Sequence, residues 1–300
     1  VPPIRDAIVP VAGLGTRLLP ATRSAPKEML PIVDKPVVQY VVEELARGGI
    51  DRVLMVTGRR KRAIEDHFDA DPELAGSAPP AAGVQLFYTR QPTPAGLGDA
   101  VARGAGFADP SSPGVVVALG DAILGPRADG GPGVVTRLID AHTEHGADAT
   151  IAVTVVPAAQ IGRYGIVIGS PLQPSPDPAE PVPGGGGGVM TVTRIVEKPA
   201  PGTVDSRLAV AARYVLGPAV FTALRDQAPG SDGEIQLTDA IASVIEGGGR
   251  VLAVPLTGGE RRHDIGTVEG YCRAFLAHAL THPQLGDALR TQARALLDDD

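Results

Sequence analysis

The chain has 300 residues, 43% of them hydrophobic, enough to bury a core in one large α/β domain or two smaller ones. Its single cysteine, Cys272, excludes an internal disulfide framework and a cysteine-based zinc site, and reads as a core thiol. A net charge of −7, no Trp and 3% aromatics argue against a nucleic-acid partner, and no apolar stretch is long enough for a membrane span.

The opening residues carry no basic segment followed by a signal-like apolar run, so a cytoplasmic location is expected. Ala7–Val11 is a short apolar run that reads as a buried strand. A turn with Gly13 and Gly15 follows it, and the missing Cβ lets backbone approach a ligand there. Successive N–H groups in such a turn can surround phosphate oxygens, and Arg17 adds a permanent positive charge. Lys27 and Glu28 follow between Pro26 and Pro31. By itself the turn reads equally well as a strand-to-loop connection. It is neither the dinucleotide fingerprint nor the P-loop, because the third glycine and the Gly-Lys-Ser/Thr closure are missing.

Further strands are predicted at Val53–Thr57, Val84–Tyr88, Val115–Leu119 and Thr150–Val156. Helices are predicted at Pro36–Gly48, with Glu43 and Glu44 outside, and at Arg60–Phe68, Gly98–Gly106 and Gly133–Gly146. This alternation implies a mostly parallel sheet with helices on both faces, and ligands at the carboxyl ends of the strands. Those ends carry the glycine turn and Gly120-Asp121. Later strands are expected at Gly165–Gly169, Val189–Val196, Val210–Leu216 and Arg250–Pro255. Later helices are expected at Pro218–Leu224, Leu237–Glu246, Val268–Thr281 and Leu285–Leu297. Ser170–Gly188, Pro-rich and then all glycine, reads as a surface loop, and Asp298-Asp299-Asp300 as a solvated acidic tail.

Several short motifs add chemistry. Asp121 closes a β-branched strand, where a carboxylate can hold Mg²⁺, although a helix-capping or turn aspartate is as common. Gln91 precedes Gly96 in a Pro-rich loop, and its amide offers donors and an acceptor that fit the imide edge of a pyrimidine. Glu197-Lys198-Pro199 follows a strand, and Gly233-Glu234-Ile235-Gln236-Leu237-Thr238-Asp239-Ala240 reads as an acidic helix start. Asp264, in His263-Asp264-Ile265-Gly266-Thr267, is by itself an ordinary turn residue, and His263 a packing or solvated one.

Taken in order, these strings resemble the signature of the sugar-1-phosphate nucleotidylyltransferases over nearly the whole chain, and the Glu234–Ala240 string resembles their uridylyltransferase branch. The resemblance implies a single nucleotidyltransferase domain with a Rossmann-like three-layer, mostly parallel mixed sheet. It implies a nucleotide-binding part over about 1–125, a sugar-phosphate-binding part over about 126–270, and C-terminal helices at 268–297. The implied reaction is Mg²⁺-dependent transfer of a nucleotidyl group from UTP to glucose 1-phosphate or a related sugar 1-phosphate. A dTTP-using enzyme is the alternative suggested by Pro92-Thr93-Pro94, and a non-catalytic nucleotide-sugar regulator is the alternative of another class.

The implied catalytic residues are Arg17, Lys27 and Asp121. Ala12, Gly13, Gly15, Thr16, Glu28, Gln91 and Gly96 would bind nucleotide. Tyr164, Gly165, Glu197, Lys198, Val210 and Ala212 would bind the sugar phosphate, and Asp121 and Asp264 the metal. The resemblance also implies a homo-oligomer, dimer or tetramer. There are three departures: the region between Phe68 and Val84 is short, Ala95 stands where a lysine is common, and Ala212 stands where a glycine is usual, the last two bearing on substrate choice.

Overall fold

The computed structural model describes residues 2–69, 81, 83–172, 188–230 and 233–298. Most of the expected loop after Ser170, as well as Asp232 and the last two aspartates, lies outside them. The elements begin with β1 (Asp6–Val11), β2 (Pro31–Ile32), β3 (Lys35–Pro36), α1 (Val37–Arg47), β4 (Arg52–Thr57) and α2 (Arg62–Phe68). Next come β5 (Gln85–Arg90), α3 (Leu97–Ala102), β6 (Val115–Ala118), β7 (Ala122–Leu124), α4 (Val134–His145) and β8 (Ala149–Val155). Then follow β9 (Gly165–Pro171), β10 (Met190–Glu197), β11 (Leu208–Leu216), α5 (Pro218–Asp226) and α6 (Leu237–Glu246). The last are β12 (Val251–Pro255), β13 (Arg262–Asp264), α7 (Val268–Thr281) and α8 (Gly286–Asp298).

Nine of these strands form one sheet in the order β5-β4-β1-β6-β11-β8-β12-β10-β9. Within it β5, β4, β1 and β6 run parallel, as do β12 and β8. β11 is antiparallel to β6, β8 and β9, and β10 to β9 and β12. The sheet is therefore mixed and mostly parallel, as expected: β11 and β10 run against the other strands. The reason is local. β9, β10 and β11 follow one another with no helix between them among the described residues, and parallel neighbours need a long crossover, usually a helix.

Alternate strand residues enter two separate cores. Ala7, Val9 and Val11 of β1 pack with Val38, Val41, Val42 and Leu45 of α1 and with Val134, Val135 and Leu138 of α4. Ile8 of the same strand packs on the other side, with Ala100 and Val101 of α3, Val220 of α5 and Ile241 of α6. β6 divides in the same way, Val116 and Ala118 against Val115 and Val117. Strands covered on both faces read as unbroken apolar runs, which is why they were recognisable. Each buried Val, Leu or Ile contributes roughly 1.5–3 kcal/mol.

One charged side chain sits inside this apolar frame. β11 breaks register against β8 between Val210 and Tyr214, and within that break Ala212 takes a φ of +62°. Arg213 is fully buried. It donates to Glu44 Oε1 at 3.1 Å and Oε2 at 2.6 Å, and to the carbonyls of Ala122 and Ala212 at 2.9 Å each. Glu44, expected on the outer face of α1, instead faces this guanidinium. Cys272, expected in the core, is exposed on α7, whose buried positions include Ala274 and Ala279.

Removing one partner of such a pair leaves an uncompensated charge. Arg213→Met should therefore lower unfolding stability by about 3 kcal/mol, and Arg213→Met/Glu44→Met should lose clearly less. Urea unfolding of the three proteins checks both.

Candidate active site

The cleft lies where β1 and β6 end. After Val11 the chain turns through Gly15, at φ +67°, into a short 3-10 turn, Thr16–Leu18, anchored by buried Leu18. Thr22 Oγ1 holds the turn by donating to the Gly15 carbonyl at 2.7 Å. A second 3-10 turn, Lys27–Met29, follows Pro26. The cleft has a volume of about 540 Å³. Of the residues singled out above, Ala12, Gly13, Gly15, Thr16, Arg17, Lys27, Glu28, Gln91, Gly96, Asp121, Glu197 and Lys198 line it. Tyr164, Gly165, Val210, Ala212 and Asp264 are not part of that lining.

Lys27 and Asp121 form an ion pair across the cleft floor, from Nζ to Oδ2. Burial alone would push the Asp121 carboxyl up, but the charge and hydrogen bond of Lys27, together with the Arg262 charge, outweigh it and hold the group below its ordinary 3.8. Burial would likewise lower Lys27, but Asp121 and Glu28 outweigh it and hold the ammonium above its ordinary 10.5. Asp264 joins them through strand pairing. β13 runs antiparallel to β7, which puts Asp264 opposite Ala122, and the Ile265 amide donates to the Asp121 carbonyl at 3.2 Å. The Asp264 carboxylate accepts from Gly266 N at 2.9 Å and from Arg262 at 3.2 Å. Gly266 lies against the Arg17 guanidinium and also lines the cleft. Distant motifs thus converge: Arg17, Lys27 and Asp121 line the cleft, and Asp264 adjoins it through Gly266.

The Gln91 loop forms another wall. Gln91 is buried and spends its amide hydrogens inside the loop, on the Gly96 carbonyl at 3.0 Å and Asp99 Oδ2 at 2.8 Å. Gly96 has φ +96°, and a Cβ there would lie 2.5 Å from the Ile235 carbonyl oxygen. Only glycine tolerates both the conformation and the approach. The Ile235 amide in turn donates to the Ala95 carbonyl at 2.8 Å, which brings Glu234 and Gln236 to the cleft.

Glu197 and Lys198 close the far side. Thr238 donates to Glu197 Oε2 at 2.7 Å, and Lys198 Nζ lies 3.1 Å from Glu197 Oε1. Gly165 sits directly under the Glu197 carboxylate, and the Lys198 amide donates to the Tyr164 carbonyl at 3.1 Å. The Tyr164 ring is covered by the Arg262 guanidinium at 4.6 Å, and Arg262 also donates to the Val210 carbonyl at 2.9 Å. Ala212 is buried in the β11 break, where its carbonyl accepts from Leu119 N at 3.1 Å. His263 packs edge-on against the His278 ring.

Sequence reasoning missed Lys61, Arg213 and Arg262. Lys61 Nζ holds the buried Glu28 carboxylate at 2.6 Å. Arg213 adjoins Ala212 and Arg262 stands two residues before Asp264, and only their tertiary partners mark them.

The chain matches the nucleotidyl transferase family over residues 6–280. It is 40% identical over 299 residues to UTP–glucose-1-phosphate uridylyltransferase 2 of Streptococcus pyogenes serotype M3, covering 96% of this chain and 94% of that protein. It is 39% identical, with the same coverage, to UTP–glucose-1-phosphate uridylyltransferase of Streptococcus pneumoniae serotype 4. Among solved structures it resembles UTP-bound UGPase from Acinetobacter baumannii, with a TM-score of 0.81, 33% identity and coverage of 97% and 98% of the two chains. UDP-glucose pyrophosphorylase complexed with UDP-glucose gives 0.79, 33% identity, and coverage of 92% and 98%.

The Asp121 carboxyl is held low, so its contribution to stability is complete above the ordinary value of 3.8 and disappears as pH falls through its lower folded value. The urea midpoint should therefore drop below about pH 4, and Asp121→Asn should flatten that drop by up to about 1.4 kcal/mol per pH unit. Urea titrations of both proteins at several acid pH values check this.

Proposed function

This chain belongs to the nucleotidyl transferase family, and from that premise we propose that it transfers the uridylyl group of UTP to glucose 1-phosphate, giving UDP-glucose and pyrophosphate. The observation that carries the proposal is the facing pair of Lys27 and Asp121, with Arg17 and Asp264 beside it, at the mouth of a glycine turn. In the reaction a phosphate oxygen of the sugar 1-phosphate attacks the α-phosphorus of UTP, and pyrophosphate leaves. No covalent enzyme intermediate is required. Catalysis is then positioning and charge stabilisation.

Arg17 reaches the triphosphate and steadies the departing pyrophosphate. Lys27 steadies the α-phosphate and the attacking group. The backbone of Ala12, Gly13, Gly15 and Thr16 surrounds phosphate oxygens. The loop held by Gln91 and Gly96 receives the base, and Glu28 supports the turn from below. Lys198 holds the sugar phosphate, and Glu197 the sugar hydroxyls, with Gly165 and Tyr164 behind it. Val210 and Ala212 act one layer further back, through the backbone that Arg262 and Leu119 grip.

Asp264 on β13 and Asp121, the residue just before its partner strand β7, fit Mg²⁺, a hard cation that is commonly held by one or two carboxylates and completed by substrate phosphates and water. Asp121 and Asp264 would hold it, and once bound it would supply positive charge against the phosphates. Lys27 already places a cation on Asp121, in keeping with a site built for positive charge.

Further parts of the reading rest on the same premise. The two cores on opposite sheet faces support a Rossmann-like three-layer arrangement. The nucleotide part spans about 1–125 and the sugar part about 126–270, with α7 and α8 following. Exposed Leu276, Leu296 and Leu297 on those helices support a homo-oligomer. No described helix is long and apolar enough to cross a membrane, and a cytoplasmic enzyme accords with such a reaction.

Pyrophosphate release, measured for UTP and dTTP against several sugar 1-phosphates with Mg²⁺, should be fastest with UTP and glucose 1-phosphate. No release from any pair overturns the proposal. Asp121→Ala should lose about 100-fold or more in turnover with its circular dichroism intact. Arg17→Ala should slow the single-turnover chemical step by a similar factor, about 100-fold.

A further inference from the structure

Under the cleft floor lies a pair of charges that the reaction as described does not use. Lys61 Nζ donates to Glu28 Oε2 at 2.6 Å, with the two side chains 5% and 1% exposed. A buried ion pair is often no more stabilising than two apolar side chains of the same size, so its presence calls for another reason. The chain is also bent to make it. A Cβ at Gly58 would lie 2.8 Å from the Ala12 carbonyl oxygen, so the loop after β4 runs directly beneath the glycine turn. Two residues on, Arg60 takes a φ of +65°, which non-glycine residues rarely adopt. Lys61 follows at once and points into the buried carboxylate.

Glu28 is the chain neighbour of Lys27, and its charge acts on the Lys27 ammonium. Two carboxylates therefore compete for one ammonium, Asp121 in the cleft and Glu28 beneath it. We propose that Lys61 is a positioning residue that neutralises Glu28, so that the Lys27 ammonium stays directed at Asp121 and the cleft instead of folding back onto Glu28. Its kinetic consequence rests on the nucleotidyl-transfer reading, whereas the placement of Lys27 does not.

The test uses the full chain with Lys61→Met and Lys61→Met/Glu28→Met, at about pH 8, well above the ordinary carboxyl range because burial pushes the Glu28 carboxyl up, and at a temperature where circular dichroism shows each protein folded. Acetylation of Lys27 by acetic anhydride, followed by peptide mass spectrometry, should slow by about tenfold in Lys61→Met and recover in the double variant. In the pyrophosphate-release assay kcat should fall by about tenfold or more in Lys61→Met, with KM for UTP little changed. A purely structural role would leave kcat of the folded single variant unmoved. If Lys61→Met does not fold, Lys61→Gln, whose amide can still donate to Glu28, replaces it. Unchanged Lys27 acetylation in the folded single variant overturns the proposal, whether or not the wild-type chain turns over UTP. So does an unchanged kcat in Lys61→Met, and so does a double variant whose Lys27 acetylation stays as slow as the single variant's. A wild-type chain that releases no pyrophosphate would instead overturn the functional reading and leave the acetylation result to decide this one.

Discussion

A single buried guanidinium ties together the parts of the molecule that the cleft needs. Arg213 bonds Glu44 on α1, the carbonyl of Ala122 at the start of β7, and its own neighbour Ala212 in the break of β11. Asp121 stands immediately before Ala122. The position of the cleft carboxylate is thus fixed from behind by a group that never reaches the ligand. Arginine suits this task because its planar fork offers five donors in set directions and stays charged when buried. Beta strands alone would fix the backbone of β6 and β11, but not the turn that leaves them.

The same logic of opposed charges extends through the site. Lys61 meets Glu28, Lys27 meets Asp121, and Arg262 meets Asp264. Two of these pairs join different elements, the loop after β4 to the second 3-10 turn and that turn to the end of β6, whereas Arg262 and Asp264 lie two positions apart on β13. Alternation of sign lets several charges crowd beneath a small cleft without like charges meeting. It also divides labour. The inner groups hold backbone and side chains in place, and the outer ones, Arg17 above all, stay exposed to whatever enters.

A net charge of −7 is no obstacle to an anionic ligand in this arrangement. Cations gathered in a partly desolvated cleft dominate the local field, and charges more than a Debye length away are screened by salt. The mixed sheet serves the same end. One part of it presents the ends of β1 and β6, and another carries reversed β10, whose last residue is Glu197, so two groups of strand ends face one cavity.

Much of this was legible in the residues alone. Strands covered on both faces appear as apolar runs, α1 shows its stripe at Val37, Val38, Val41, Val42 and Leu45, and the glycine turn, Gly120-Asp121, Glu197-Lys198 and His263-Asp264 keep their order along the chain. These are local patterns, and local physics writes them: periodicity, turn geometry and the side chain that follows a strand. What the residues could not reveal was pairing across the chain. The reversal of β11, the inward turn of Glu44, the exposure of Cys272 and the partnership of Lys61 with Glu28 depend on which elements meet. Neighbours dozens or hundreds of residues apart decide that, through burial and counter-charge that leave no periodic trace. The types of chemistry were thus set by sequence, whereas the placement of each charge against its partner was decided only when the sheet closed around them.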